Sequence, residues 1–135
     1  MSNHSLVEQF YQQIWNSGDE NVGSILAEDF TFRGSLGTPA KGHAEFLSYV
    51  RSVRESLSNY NCEILDCVTE FPKAFARMQF SGVHVSNFRG FKPTGKHVQW
   101  NGAALFTFRS GLISELWVLG DLVALDALLR TNAGE

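Results

Sequence analysis

Glu115-Leu-Trp-Val-Leu-Gly-Asp121-Leu-Val-Ala-Leu-Asp-Ala-Leu-Leu129 changes period in its middle, and that change organises the chain. Ile113 to Leu119 is rich in aromatic and branched apolar residues and reads as a strand, whereas Leu122, Leu125, Leu128 and Leu129 recur at helical spacing. Asp121 stands at the junction. Two readings of it are open. As a helix N-cap its carboxylate accepts the orphan N–H groups of the first turn, contributing about 1 kcal/mol and no chemistry. As an interior acid/base it would be desolvated, and burial can raise an Asp pKa from about 3.9 by as much as ~3 units.

The bulk composition bounds what surrounds this junction. A chain of 135 residues with 44% hydrophobic content suits one domain, 1–135, with a single core. Fourteen acidic against 11 basic residues, net charge −3, leave no basic run to follow a phosphate backbone, so nucleic acid is not an expected partner. Met-Ser-Asn-His-Ser at the start carries no signal-peptide core, and no apolar run is long enough for a bilayer. A soluble, cytoplasmic protein without membrane partners is therefore expected. Cys62 and Cys67 lie five apart on one predicted strand, which points them to opposite faces, offers neither an easy disulfide nor a metal cluster, and leaves both as buried thiols. The 11 Phe and 3 Trp exceed what a small core requires and suggest an aromatic-lined cavity.

Working back to the N-terminus, Ser5-Leu-Val-Glu8 has the form of a capping box, and Leu6, Phe10 and Ile14 continue a first helix that Gly18 ends. Asp19 can cap a short second helix with Val22, Ile25 and Leu26 inside, before Asp29-Phe-Thr-Phe-Arg33 alternates as a brief strand. After a loop marked by Gly34, Gly37 and Pro39, the residues Phe46, Tyr49, Val50, Val53 and Leu57 form the inner stripe of a third helix. Four strands follow, Tyr60 to Phe71, Ala74 to Ser86, Lys96 to Arg109 and Ile113 to Leu119. Their short connections make neighbours antiparallel. The expected class is α+β, a strongly curved antiparallel sheet with N-terminal helices across one face and a short C-terminal helix.

Alternation assigns the faces. Val98, Trp100, Gly102, Ala104, Phe106 and Phe108 share the interior side, and His97, Gln99, Asn101 and Thr107 the other. Gly102 and Ala104 leave a dip between Trp100 and Phe106, which is either cavity or room for a helix. On the preceding strand Ala76, Met78, Phe80, Gly82 and His84 point inward, so His84 is a hydrogen-bonded core residue or a functional one. No glycine-rich phosphate loop, nucleophile elbow, His-Glu-x-x-His helix or cysteine-rich metal pattern occurs, so neither cofactor nor metal is expected.

Phe10-Tyr-Gln-Gln-Ile-Trp-Asn-Ser-Gly18, Ala27-Glu-Asp-Phe30, Gly82-Val-His84, Pro93-Thr-Gly-Lys96, Ser110-Gly-Leu-Ile113 and Trp117-Val-Leu-Gly-Asp-Leu122 resemble, in order and spacing, the SnoaL-like polyketide cyclases. The resemblance runs over nearly the whole chain. It implies the cone of the nuclear-transport-factor-two-like superfamily, a curved sheet wrapped around helices. It also implies a cofactor-free intramolecular aldol closure on a polyketide ester, with Asp121 in the position of the acid/base. His84 matches the Gly-x-His pattern and is the second catalytic candidate. Residues expected to contact a hydrophobic oxygenated ligand are Trp15, Arg33, Phe46, Trp100, Gly102, Ala104, Phe106 and Trp117. Two positions depart from the family. Gly102 and Ala104 stand where cyclising members carry polar residues, and Arg33 replaces a His, so it could bind an anion or carbonyl but not act as a base.

Three functions compete. The first is a cyclase or isomerase using Asp121. The second is an epoxide hydrolase, which needs paired carboxylates and an Arg around a water, with Asp66, Asp121 and Arg33 as the available groups. Asp66 is read here as sharing a face with Cys62, Ile64 and Val68. The third is a domain of the same fold that binds a hydrophobic ligand or dimerises without turnover. A homodimer through the outer sheet face, which carries Gln99, Asn101 and Thr107, is the expected assembly.

Overall fold

Six strands and three helices account for most of residues 3–135, which the computed structural model describes. Helix α1 (Asn3–Gln9) runs into a π-helical segment (Phe10–Asn16) whose wider turns end with Ser17 N–H donating to Gln12 O at 3.1 Å. Phe10, Tyr11, Ile14 and Trp15 all face inward from it. Strands β1 (Leu26–Arg33) and β2 (Pro39–Lys41) precede helix α2 (Gly42–Ser56). Then come β3 (Leu57–Glu70), β4 (Lys73–His84), β5 (His97–Arg109), β6 (Leu112–Gly120) and helix α3 (Leu122–Asn132).

The strand order is β2-β1-β6-β5-β4-β3, an open sheet that curves around α1, the π-helical segment and α2. All neighbours are antiparallel except β1 and β6, which run parallel and make the sheet mixed. That pairing explains why the short second helix expected at Asp19–Leu26 does not form. Ile113 N–H donates to Ile25 O at 2.8 Å, and Leu26 is already in register with Ile113. Sheet hydrogen bonds thus take the backbone that a helix would need, leaving one turn in which Ile25 and Leu26 N–H reach Val22 O. Val22, Ile25 and Leu26 remain buried all the same.

Ser110 and Gly111, at φ 53° and 77°, give the β5–β6 connection the left-handed pair that matches strand twist. The inner face of β5 is the expected one, with Val98, Trp100, Ala104, Phe106 and Phe108 all buried, and Phe46 completes the core by meeting Phe10, Trp15, Phe30 and Phe32. Full burial of Phe46 makes its loss worth about 3–5 kcal/mol.

Strand β3 departs from simple alternation. Its register against β4 shifts between Ile64 and Asp66, so Cys62 faces Phe80, Ile64 faces Met78 and Cys67 faces Ala76. One extra residue in the strand brings both cysteines to the inner face instead of opposite faces, and both are free thiols. The same bulge turns Asp66 outward. There it accepts from Arg77 at 2.6 and 2.9 Å, away from the face of Cys62 and Ile64.

Candidate functional site

The curved sheet and the helices close on a small cavity. The π-helical segment supplies Phe10, Tyr11 and Trp15, β1 and the turn after it supply Phe32, Ser35 and Leu36, and α2 supplies Tyr49 and Val53. Tyr60, Phe80, Trp100, Leu116 and Val118 complete the wall from β3 to β6. Its volume is about 10 Å³, close to what one water molecule requires. Beyond Leu36, Tyr49 and Val53 lies an open groove of about 530 Å³, whose other walls include Thr38, Ser48, Ser52, Asn87 and Arg89. Those three side chains belong to both spaces, so they form the partition between them.

All three tyrosines of the chain line this cavity, and no lining residue carries a charge. Burial pushes the Tyr11 phenol well above its usual range, with Cys62 and Cys67 adding to the effect. Tyr60 is raised in the same way by burial, then by Cys62, Tyr49 and Tyr11, against a smaller opposing influence of Arg54. Tyr49 is raised by burial too, although hydrogen bonds to the Leu36 backbone and the Ser35 side chain pull the other way. The phenols are therefore neutral at physiological pH, able to donate and accept hydrogen bonds but not to act as resting bases.

Among the residues singled out from sequence, Trp15 and Trp100 line the cavity. Phe46 and Phe106 sit one ring behind it in the core, where they stack on or abut Phe10. The dip at Gly102 is filled rather than open, because the Phe80 ring occupies it, and Ala104 is fully buried outside the lining. Arg33 and Trp117 are cross-strand partners on the outer face, the guanidinium 5.6 Å from the indole centroid. Arg33 Nη1 also donates to Val118 O, so its charge is tied to the outside of the sheet.

Asp121 caps α3, its Oδ1 accepting from Ala124 N–H at 3.1 Å, and the residue is exposed. It nevertheless follows directly on the cavity rim. A Cβ built on Gly120 would lie 2.7 Å from Ser35 O and 3.2 Å from Trp100 Nε1, and both of those residues are in the wall. His84 is fully buried outside the lining, its Nε2 3.2 Å from Phe91 O. It braces the 85–96 connection, whose ends are closed by Gly95 N–H to His84 O and His84 N–H to Lys96 O. Asp66, Arg33 and Asp121 occupy separate surfaces, so the carboxylate pair of an epoxide hydrolase is not assembled.

Tyr11, Tyr49 and Tyr60 were not marked from sequence as ligand residues. Their signal was a phenol on an inward stripe, where Phe would suffice for packing. Among the described residues no group of three or more His, Cys, Asp or Glu side chains is placed to hold a metal ion. No helix among them is long and apolar enough to cross a membrane.

Solved structures share this architecture closely. IdmH of Streptomyces antibioticus, provisionally named a polyketide cyclase, superposes with a TM-score of 0.83 at 22% identity, covering 96% of this chain and 99% of that one. TsrD of Streptomyces laurentii gives 0.84 at 23% identity, with 96% and 97% covered. AclR of Streptomyces galilaeus, provisionally named a hydroxylase, gives 0.80 at 19% identity, with 95% of both chains covered. At these identities the likeness establishes the fold alone. No curated protein sequence matches the chain. The family model described as SnoaL-like polyketide cyclase matches residues 5–129, and the chain belongs to that family.

Proposed function

We propose that the chain is a small-molecule enzyme of the cyclase or isomerase kind, taking a neutral, hydrophobic, oxygenated substrate between its helices and sheet, where Leu36, Tyr49 and Val53 must move aside to join the one-water cavity to the adjoining groove of about 530 Å³. What carries this reading is one arrangement: an uncharged wall of tyrosine and tryptophan whose rim, at Gly120, leads straight into Asp121. Such a wall suits a flat carbonyl compound. Asp121 would remove a proton from the carbon beside a carbonyl, and the enolate would attack a second carbonyl carbon to form the new C–C bond. The resulting alkoxide would then take the proton back from the Asp121 carboxyl. Acid/base help of this kind is worth about 100 to 10,000-fold.

The test is cyclisation of a β-keto ester of polyketide type by the wild type and by Asp121→Asn. Asn preserves the cap but cannot exchange protons, so a loss of at least about 100-fold with unchanged melting temperature supports the acid/base role. Equal turnover by both forms would sink it.

A second reading, binding without turnover, is favoured by the exposure of Asp121 and by its engagement with Ala124 N–H. Saturable quenching of tryptophan fluorescence with no product from any ester would select it.

The proposed assembly is a homodimer through the outer sheet face. Val68, Phe75, Leu105 and Trp117 are paired in one row across β3, β4, β5 and β6, and all four are exposed. This row is more apolar than Gln99, Asn101 and Thr107 alone would suggest. Light scattering at micromolar concentration should give twice the chain mass, and Leu105→Lys should halve it; a monomeric wild type removes the proposal.

A further inference from the structure

Residues 34–38, which join β1 to β2, help to close the cavity on its groove side, with Ser35 and Leu36 in the cavity wall and Leu36 and Thr38 in the groove. They are the loop of an edge hairpin, because β2 has three residues and pairs with β1 alone. The turn is self-contained. Gly37 N–H donates to Gly34 O and Gly34 N–H to Thr38 O, both at 2.9 Å, and Gly37 takes a left-handed φ of 88°. Of the three residues that part cavity from groove, Tyr49 and Val53 are carried on α2, which Phe46, Val50 and Val53 bury in the core. Leu36 is therefore the one that can leave with a loop.

Two glycines show how closely the turn is seated. Neither Gly34 nor Gly120 has a positive φ, so neither needs glycine for its backbone angle. What each permits is close approach. A Cβ on Gly34 would lie 2.5 Å from Tyr49 Oη, and one on Gly120 would lie 2.7 Å from Ser35 O. The Tyr49 hydroxyl also ties the turn down through hydrogen bonds with the Leu36 backbone and the Ser35 side chain. Beside this seat is Trp100 Nε1, 3.2 Å from the same Cβ position on Gly120, in a residue 3% exposed. That donor is buried and has no hydrogen-bond partner among the described residues. An unpaired buried donor favours any movement that lets water reach it.

We infer that the 34–38 turn is a lid, latched by the Tyr49 hydroxyl and seated against Gly120, whose lifting joins the cavity to the groove and uncovers Trp100 Nε1. The inference deepens the reading of the site given above and rests on it for what the lid admits. A closed lid accounts for a cavity of about 10 Å³, the size of one water, beside a groove of about 530 Å³. Lifting also frees the edge at Gly120, next to Asp121. The Asp121 backbone stays in the sheet meanwhile, because its N–H donates to Asn101 O at 2.9 Å. The lid moves and the carboxylate does not.

The test follows exchange of the Trp100 indole N–H with water in the ¹⁵N-labelled full chain, with Trp100→Phe for assignment. Since that N–H bonds to nothing in the latch, only movement around it can expose it. Tyr49→Phe keeps the ring and drops the hydroxyl, and should quicken this exchange about tenfold, as suits the loss of one or two net hydrogen bonds. Gly120→Ala should quicken it too, by wedging Ser35 off its seat. The Ala104 amide, in the middle of β5, should keep its wild-type rate in both variants. Equal acceleration at Trp100 and Ala104 would mean that the whole fold loosens, and an unchanged Trp100 rate in Tyr49→Phe would mean a fixed wall; either result overturns the lid. What the lid admits is read with the neutral fluorophore N-phenyl-1-naphthylamine, whose stopped-flow uptake should be about tenfold faster in Tyr49→Phe, in step with the open population. Equal uptake rates, or no uptake by either form, overturn the role of the turn in admission. None of these readouts involves turnover, so the acid/base role of Asp121 stands or falls on its own assay.

Discussion

The ring of Phe80 occupies the space that any side chain at Gly102 would need, since a Cβ built there would come within 2.4 Å of Phe80 Cε2 and 2.9 Å of Leu119 O. The backbone oxygen cannot move without disturbing the β5–β6 ladder, so the ring must give way. Phe80 is buried beside Trp100, which has no free volume to offer except the cavity itself. Gly102→Ala is therefore expected to cost about 1–3 kcal/mol in urea unfolding, as overpacking of a close-packed interior does. Adding Phe80→Leu should recover part of that loss. Additive penalties would show that the two positions do not compete for space.

What alternation could reveal in this chain and what it could not are both visible on the sheet. A period of two put Trp100, Phe106 and Phe108 inside and His97 and Gln99 outside, because a half-buried strand pairs each residue with one environment. It also placed His84 inward, where the residue is fully buried. Cys67 and Asp66 were assigned to the wrong faces because a bulge is one backbone residue inserted into the ladder, and no side chain in β3 announces it. Gly102 read as a dip because a sequence shows that a side chain is missing but not which neighbour fills the gap. The same blindness applies to Arg33: its parallel pairing with Trp117 on the outer face comes from a contact 84 residues away in sequence. For Asp121 the structure shows the cap in its hydrogen bond and an exposed residue at the end of β6, and the acid/base role rests on the proposal above.

The cap and the chemistry of Asp121 can be separated by stability alone. Ala124 N–H is one of the orphan donors of α3, and Asp121 Oδ1 satisfies it at 3.1 Å. Asp121→Ala should thus destabilise the fold by about 1 kcal/mol, while Asp121→Asn, an equally good cap, should stay within a few tenths. Chemical denaturation checks this. If both variants lose the same amount, the hydrogen bond contributes nothing measurable.

The thiols should differ in reactivity despite sharing a face. Burial pushes the Cys62 thiol far above its ordinary range, and its backbone is clamped by Asn16, which accepts from Cys62 N–H at 2.7 Å and donates to Cys62 O at 3.1 Å. Cys67 is raised as well, by burial and then by the nearby Glu8, but it is half-buried rather than enclosed. Since the thiolate is the nucleophile, native protein at neutral pH should take up iodoacetamide slowly at Cys67 and not at Cys62. Unfolding should release two equivalents. Native labelling of Cys62 detected by peptide mass mapping would mean that β3 opens locally at Asn16.

The loop between β4 and β5 is held to the C-terminal helix by Arg89, whose Nε and Nη2 donate to the two oxygens of Asp126 at 2.7 and 3.0 Å. Arg89 itself stands at φ 50°, a left-handed backbone that a non-glycine residue keeps only when its surroundings hold it. The Arg89 hydrogen bonds lower the Asp126 pKa below its usual value, with burial opposing them and the charges of Arg89 and then Arg130 assisting. A depressed folded-state pKa means that the pair stabilises the protein fully above the unfolded value of about 3.9 and that the contribution disappears as pH falls through the lower folded value. A partly exposed bidentate pair of this kind is worth about 0.2–1 kcal/mol. Asp126→Asn should therefore be less stable than the wild type at pH 7 by that amount and indistinguishable from it near pH 2. Amide exchange should also quicken around Phe88 and Phe91, whose mutual backbone hydrogen bonds close the loop tip, because the anchor to α3 is gone. A stability difference that persists unchanged at low pH would instead assign the effect of the substitution to packing rather than to the charge on Asp126.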